Sequence, residues 1–456
     1  MKGRRMDRKW SAFAGGILLT GVGLAVCGCA AVDPAKDHEQ VSGRETMDSE
    51  VLQTNESLSF SVPEPYYSLY EPLVREYRQL YPDVEVNFSP YPYETREAVD
   101  QMRKQRATEL MAGEGNDLYI MAEIEFYDIQ KVKQSGAFEE LSPYFENDPE
   151  MDRNLFLDGI FEMEEDGTCH ILPYTISAGF LGTTEEILDS EGISLQDCET
   201  YGEQIACMVQ YHRQHADRAA VSPRGSFYSA LDGLGFAPWE SEENDQILSS
   251  EILKNVEMLN KEEEVYKVTF DQIYVDERER FFAERQNLCV NCFNYPDFEI
   301  LCLLGGAEGG ILVPKMSAEA GRMRADSLYT AAIAASSPNK ENAWNFIKLL
   351  LGESYQNQLL GGLPVRKDSL ELWIEKQYEE FGKDAVLVDG VSCPGVSREQ
   401  VDAAKEAVLH ARLYFPIGYE ISKNYSEAMQ PYYEEKKAVE ACVEEFRDYL
   451  EIYYSE

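Results

Sequence analysis

The chain has 456 residues, 44% of them hydrophobic and 11% aromatic, enough apolar material to build two or three lobes with cores of their own. Against 41 basic residues stand 83 acidic ones, a formal charge of -42, and a chain this acidic has no basic stripe to neutralise phosphates, which excludes nucleic acid as a partner. Acidity on this scale describes a solvated, self-repelling surface, so no ligand charge is read from it.

Lys2, Arg4, Arg5, Arg8 and Lys9 precede an apolar stretch from Ala12 to Val26, the pattern of a signal peptide. The stretch carries four glycines and falls short of the roughly 20 apolar residues that a membrane span needs. Val26-Cys27-Gly28-Cys29 looks like a bacterial lipobox, and the small Gly28 marks Cys29 as the lipid acceptor, whereas Cys27 follows the bulkier Val26. Residues 1–28 therefore read as a lipoprotein signal peptide, and cleavage before Cys29 would move the formal charge from -42 to -46 by removing five basic residues and one acidic one. The polar, aperiodic residues 29–55 read as a flexible tether with a mean reach of roughly 28 Å.

Leu58 to Val62 alternates like a strand, and Pro63 and Pro65 end it. Leu69, Leu73, Tyr77 and Leu80 recur at helical spacing, Val84 to Phe88 alternates again, Glu94 to Met111 reads as a helix and Asp117 to Met121 as a third strand. Strands alternating with helices predict mostly parallel sheets flanked by helices, with ligands held beyond the strand ends. Ile171 to Leu181 leads out of this body. Leu195 to His212 and Phe270 to Phe282 look helical, Asn287 to Phe293 and Ile311 to Pro314 look like strands, and Gly305 to Gly310 is a turn. Leu328 to Ala334 is a short apolar strand that crosses back. Ser337 stands where an N-cap would, Pro338 at the first helical position, and Ala343, Phe346, Ile347, Leu350 and Leu351 form one apolar face. Gly361, Gly362 and Pro364 make a turn that needs unusual backbone angles. Beyond Leu370 the chain reads as helical over Gln400 to Ala411, Tyr419 to Met429 and Tyr433 to Tyr454.

The run S-P-N-K-E-N-A-W-N-F-I-K from Ser337 to Lys348, followed by Gly362-Leu-Pro-Val-Arg-Lys367, resembles the return crossing of bacterial extracellular solute-binding proteins of family 1, receptors of ABC importers that include the maltose-binding type. Asn116-Asp-Leu-Tyr119 with Gly136 to Tyr144, and Ile171-Leu-Pro-Tyr174 with Leu181-Gly-Thr183, match other parts of that pattern in the same order, so the resemblance runs from Leu58 to the C-terminus. It implies a two-lobed α/β fold of the type II periplasmic-binding kind. Lobe 1 would take residues 56–175 and 333–365, and lobe 2 residues 180–328 and 370–456. It also implies a monomeric, lipid-anchored receptor on the extracytoplasmic face that hands a small molecule, a sugar first of all, to importer permease subunits without cofactor or catalysis.

Closure of two lobes on a sugar calls for aromatic faces to cover its apolar side and for carboxylates or amides to bind its hydroxyls. Trp239, in the loop Gly235-Phe-Ala-Pro-Trp-Glu240, is the leading aromatic candidate, with a lobe-sealing tryptophan as the equal alternative. Tyr66, Tyr67, Glu123, Glu125, Tyr174, Asn294 and Tyr295 are candidates from strand ends and loops, each weighed against an exposed or supporting role. Trp344 and Trp373 lie in helical patterns and read as packing.

Catalytic signatures are sparse. His212 and His215 are three apart without the glutamate of a zinc protease and read as surface residues, and Gly305 to Gly310 lacks the Lys-Ser/Thr ending of a phosphate loop. Cys289-Val-Asn-Cys292 has metal spacing but sits in a strand-like run that puts the two on opposite faces, so it reads as buried thiols. An exported glycoside hydrolase, which needs only two carboxylates across a cleft, stays open as the alternative, as does a receptor for a peptide or polyamine.

Overall fold

The computed structural model describes residues 56–164, 167–222, 251–265, 287–359, 361–388, 390–415 and 417–455. Cys29, the tether, Trp239 and the segment from Phe270 to Phe282 lie outside them.

Strand β1 (Ser57–Pro63) buries Leu58, Phe60 and Val62 and pairs in parallel with β2 (Glu85–Tyr91). Between them α1 (Tyr67–Leu80) buries Tyr70, Leu73, Val74 and Tyr77, an i, i+3, i+4, i+7 face; of the expected stripe Leu73 and Tyr77 lie on it, whereas Leu69 is only half-buried and Leu80 is exposed. Helix α2 (Arg96–Ala112) is capped at its start by Thr95 Oγ1, which accepts from the Ala98 amide, and at its end by Gly113 at φ 72°. Then come β3 (Leu118–Tyr119) and three short helices, α3 (Ala122–Glu125), α4 (Ile129–Gln134) and α5 (Ser142–Asn147).

The chain crosses to the second lobe through β4 (Leu172–Ser177) and β5 (Phe180–Thr184). There it forms α6 (Glu185–Glu191), α7 (Tyr201–Gln214), β6 (Val221–Ser222), α8 (Glu251–Glu262), β7 (Cys289–Cys292), α9 (Phe298–Leu303) and β8 (Gly310–Pro314). The long β9 (Arg324–Ile333) brings it back to α10 (Lys340–Leu351) and α11 (Glu353–Gln356), and β10 (Leu363–Pro364) leads out again to α12 (Lys367–Phe381). A hairpin of β11 (Ala385–Val388) and β12 (Val391–Pro394), then α13 (Arg398–Leu409), β13 (Arg412–Tyr414), α14 (Tyr419–Tyr433) and α15 (Val439–Ser455), complete the chain.

The second lobe holds a sheet in the order β6-β7-β5-β8, and the crossing strands form their own sheet, β10-β4-β9-β13, with β3 also on β9. The pairings are mixed, not mostly parallel: β1 with β2, β6 with β7 and β9 with β13 are parallel, while β4 with β9, β3 with β9, β4 with β10 and β5 with β7 and β8 are antiparallel. The physical reason is the return journey, because a strand that leaves a lobe and one that comes back lie side by side in opposite senses. One apolar cluster runs from Leu58 and Phe60 through the crossing strands to Val401; a second gathers α7, α8, α14 and α15 against Leu181 and Cys289.

Two local details position the crossings. Ser337 does not cap the helix, which starts at Lys340; its hydroxyl donates to Asp117 Oδ1 at 2.6 Å and accepts the Asn339 amide at 2.9 Å, because the buried Asp117 competes for it. Gln356, almost fully buried, donates to the carbonyls of Tyr174 and Leu350 and accepts from the Val365 amide, which ties α11 to β4 and to the residue after β10.

Candidate functional site

Strand ends of the first lobe and the crossing strands converge on a group of tyrosines. Tyr66 closes the turn after β1, Tyr70 follows on α1, Tyr174 lies on β4, Tyr329 on β9 and Tyr355 on α11. The Tyr66 and Tyr329 rings meet edge to face at 6.1 Å, Tyr329 stacks on Tyr174 at 6.2 Å and Tyr355 sits 6.3 Å from Tyr174. The Tyr174 hydroxyl donates to the Ile120 carbonyl at 2.5 Å, so its neighbour Tyr70, 2.6 Å away, donates to it. The protons of Tyr174 and Tyr70 thus each have one acceptor, which orients these two rings.

Glu123, on the short helix after β3, accepts the Thr330 amide and hydroxyl on Oε2 at 3.0 and 2.6 Å. Its Oε1 is buried and has no partner among the described residues. Burial pushes its carboxyl up to about 7, against the pull of the Thr330 bonds. Glu125 is fully buried, and burial pushes it up to about 8 although Arg106 Nε lies 3.4 Å from Oε2; the Glu123 charge adds to the rise. Arg106 divides itself further, donating to Ser61 Oγ at 2.6 Å and pairing with Glu109 at 3.1 Å.

On the second-lobe side, Asn294 joins the crossing: its Oδ1 accepts from Ser177 Oγ at 3.2 Å and its carbonyl from the Ala178 amide at 2.9 Å. Tyr295, 39% exposed, meets Trp373 of α12 edge to face at 5.8 Å.

The structure thus brings Tyr66, Glu123 and Tyr174 into one neighbourhood and puts Asn294 and Tyr295 at the crossing on the other side. Two candidates sit deeper than a ligand contact requires. Tyr174 is fully buried with its hydroxyl committed, and Glu125 is fully buried against Arg106. Tyr67 lies flat on Phe88, 4.4 Å between centroids and 4° between planes, within the first-lobe packing. Trp344 is core, with Nε1 donating to Asp148, whereas Trp373 is only half-buried. His212 is not a surface residue: it is buried on α7, with Nε2 2.7 Å from Glu262 at the end of α8 and Nδ1 3.7 Å from Glu263 just beyond it. Cys289 and Cys292 are buried and in no disulfide, as their strand position implies. Sequence reading missed Tyr329, Thr330, Tyr70 and Tyr355. The first two lie inside a predicted crossing strand, and period-two alternation beside Tyr174 is the signal that could have found them.

Among the described residues no group of three His, Cys, Asp or Glu side chains could hold a metal ion, and no helix is long and apolar enough to cross a membrane. No family model and no curated protein matches the sequence. Solved structures do match the fold. The sugar-binding protein MalE from Xanthomonas citri is similar at TM-score 0.56 and 14% identity, over 86% of this chain and 95% of that one. A putative oligosaccharide periplasmic-binding protein from Synechococcus sp. MITs9220 gives 0.55 and 13%, over 87% and 99%. A sugar transporter protein from Rhizobium etli in an open conformation gives 0.53 and 16%, over 86% and 98%. The chain therefore has the two-lobed α/β type II fold of periplasmic solute-binding proteins.

Proposed function

We propose that the protein is an extracytoplasmic solute receptor that captures a sugar or oligosaccharide between its lobes and delivers it to an ABC importer. The observation that carries this reading is the aromatic and carboxylate wall in which Tyr66 and Glu123 of the first lobe meet Tyr329 and Thr330 of the crossing strand β9, within a fold whose solved neighbours are named as sugar-binding proteins. Residues on the strands that link two lobes sense their closure, so a ligand held there favours the closed form by its differential contacts. Tyr66, Tyr329, Glu123, Asn294 and the Tyr295–Trp373 pair are the proposed ligand contacts, with Tyr174 and Glu125 behind them as support. Lobe 1 is taken as residues 56–175 with 333–365 and lobe 2 as 180–328 with 370–456. Cys29 is the proposed lipid anchor and residues 29–55 the tether, which would hold a monomer at the membrane.

The role asked of the protein is binding without turnover. A retaining or inverting glycosidase needs two carboxylates open to the substrate, and of the candidate carboxylates Glu123 and Glu125 the second is enclosed and paired with Arg106. A thermal-shift screen against mono- and oligosaccharides, short peptides, polyamines and nucleosides, with chromogenic glycosides alongside, tests the reading. A ligand at 100 times its dissociation constant adds about 2.7 kcal/mol to native stability. A stabilising sugar recovered intact is the expected result; stabilisation only by another class, or release of product, overturns it.

A further inference from the structure

Eight cysteines lie among the described residues, none in a disulfide, and six of them are buried; the two that are not, Cys198 and Cys207, face each other with their sulfurs 3.6 Å apart. The local sequence sets that distance. A turn over Leu195–Asp197 ends at Cys198, and Thr200 then caps α7 in a capping box with Glu203, which fixes where the helix starts and so where Cys207 emerges. We propose that Cys198 and Cys207 are a disulfide-forming redox site that exchanges with a low-molecular-weight disulfide. The hydrogen bond between the sulfurs pulls the Cys207 thiol down and pushes the Cys198 thiol up, so Cys207 attacks first. Its thiolate bonds to one sulfur of the external disulfide and expels the other as a thiolate. Cys198 then gives its proton to water, attacks Cys207 Sγ and expels the second thiolate. The protein loses two protons and two electrons, and the external disulfide is reduced to two thiols.

The bond would close over a segment with a structural task. The Glu199 carbonyl accepts the Gly321 amide at 2.9 Å, and the Tyr201 amide donates to Ser317 at 2.9 Å. Gln204, inside the same ring, donates to the Pro314 carbonyl and accepts the Met316 amide at 2.8 and 3.0 Å. These residues hold the loop that enters β9, the strand that crosses between lobes. Oxidation therefore stiffens the second-lobe anchor of the crossing. The inference is independent of which solute the cleft takes.

The test exposes the full chain to excess glutathione disulfide, blocks remaining thiols with N-ethylmaleimide after unfolding, and digests with trypsin and a glutamate-specific protease that cuts after Glu199 and Glu203, between the two cysteines. The peptide ending at Glu199 and the one carrying Cys207 should travel together and separate on reduction, and the linked species should be absent in Cys198→Ser and in Cys207→Ser. Both cysteines labelled by N-ethylmaleimide, or each carrying its own glutathione, overturns the site. Amide exchange at Gly321 should be slower in the oxidised protein than in Cys198→Ser; equal rates overturn the coupling to β9.

Discussion

Thr330 offers both its amide and its hydroxyl to a single oxygen of Glu123, at 3.0 and 2.6 Å, and so fastens the rim of the first lobe to the strand that crosses between lobes. Thr330→Val keeps the shape and the amide but removes the hydroxyl donor. A hydrogen bond to a charged group contributes about 1.5–3 kcal/mol. Urea unfolding at pH 8 should show a loss of about 2 kcal/mol in the valine variant. At pH 5, where Glu123 is protonated, the loss should shrink; an equal loss at both values would mean that the bond is insensitive to the charge.

The buried pair Glu123 and Glu125 gives stability a definite pH slope. Their carboxyls titrate at 4.5 when unconstrained and are pushed up to about 7 and about 8 in the fold. Between these values the folded chain holds more protons than the unfolded one, so stability falls as pH rises through the window from 4.5 to 8. Glu123→Gln removes its share, of order 3 kcal/mol at one pKa unit per 1.36 kcal/mol. The variant should therefore gain on the parent as pH climbs from 5 to 8 in parallel melts. A stability difference that stays constant over that range would show that Glu123 does not change charge there.

Tyrosines at different depths should separate stability from binding. Tyr174→Phe removes the donor to Ile120 and the acceptor for Tyr70, both buried, and should cost about 2 kcal/mol of stability with little change in affinity for a stabilising sugar. Tyr66→Ala and Tyr329→Ala should instead weaken binding roughly tenfold, which corresponds to about 1.4 kcal/mol, while melting changes less. Titration calorimetry on the three variants decides it, and the reverse ordering would place the ligand elsewhere.

What could be read in the sequence was what is local. The face of α10 follows from residues three and four apart, whereas on α1 only Leu73 and Tyr77 of the expected stripe turn inward and Leu80 is exposed; the turn at Gly361 and Gly362 does adopt the left-handed angles expected of it, at φ 82° and 75°. Tyr66 and Glu123, proposed from strand ends, do come together against neighbouring residues of β9. Contacts between distant parts of the chain were not. Tyr329 finds Tyr174 only when β9 lies antiparallel to β4, and His212 goes inside because Glu262 and Glu263 come from the far end of α8 and the turn after it. Strand β9 also extends four residues before its predicted start, through the polar Arg324 and Asp326, since pairing with β13 satisfies backbone that alternation alone did not mark. Helix α14 runs on past the expected end at Met429 and accommodates Pro431 in its last turn.

The two glycines of the crossing turn should not tolerate substitution equally. Both have positive φ, which costs an alanine about 1 kcal/mol. At Gly361 a Cβ meets nothing within 4 Å, so Gly361→Ala should lose only that amount. At Gly362 the Cβ would stand 2.7 Å from Thr175 Cγ2, 2.8 Å from the Ile176 carbonyl oxygen and 2.8 Å from Leu328 Cδ2, wedged between β10 and both main crossing strands. Relief requires β10 to move away from β4, which strains the Leu363–Ile176 and Pro364–Thr175 pairing and the Gln356 bridge beside it. Gly362→Ala should therefore cost several times as much as Gly361→Ala, roughly 3 kcal/mol or more by the scale of overpacked sites. Its effect should extend to ligand affinity, because the displaced strand belongs to the crossing that positions Tyr174 and Tyr329. Denaturant unfolding and ligand titration on the two single variants measure both quantities. Equal losses would mean that backbone angle alone governs this turn and that β10 has room to shift without disturbing the crossing.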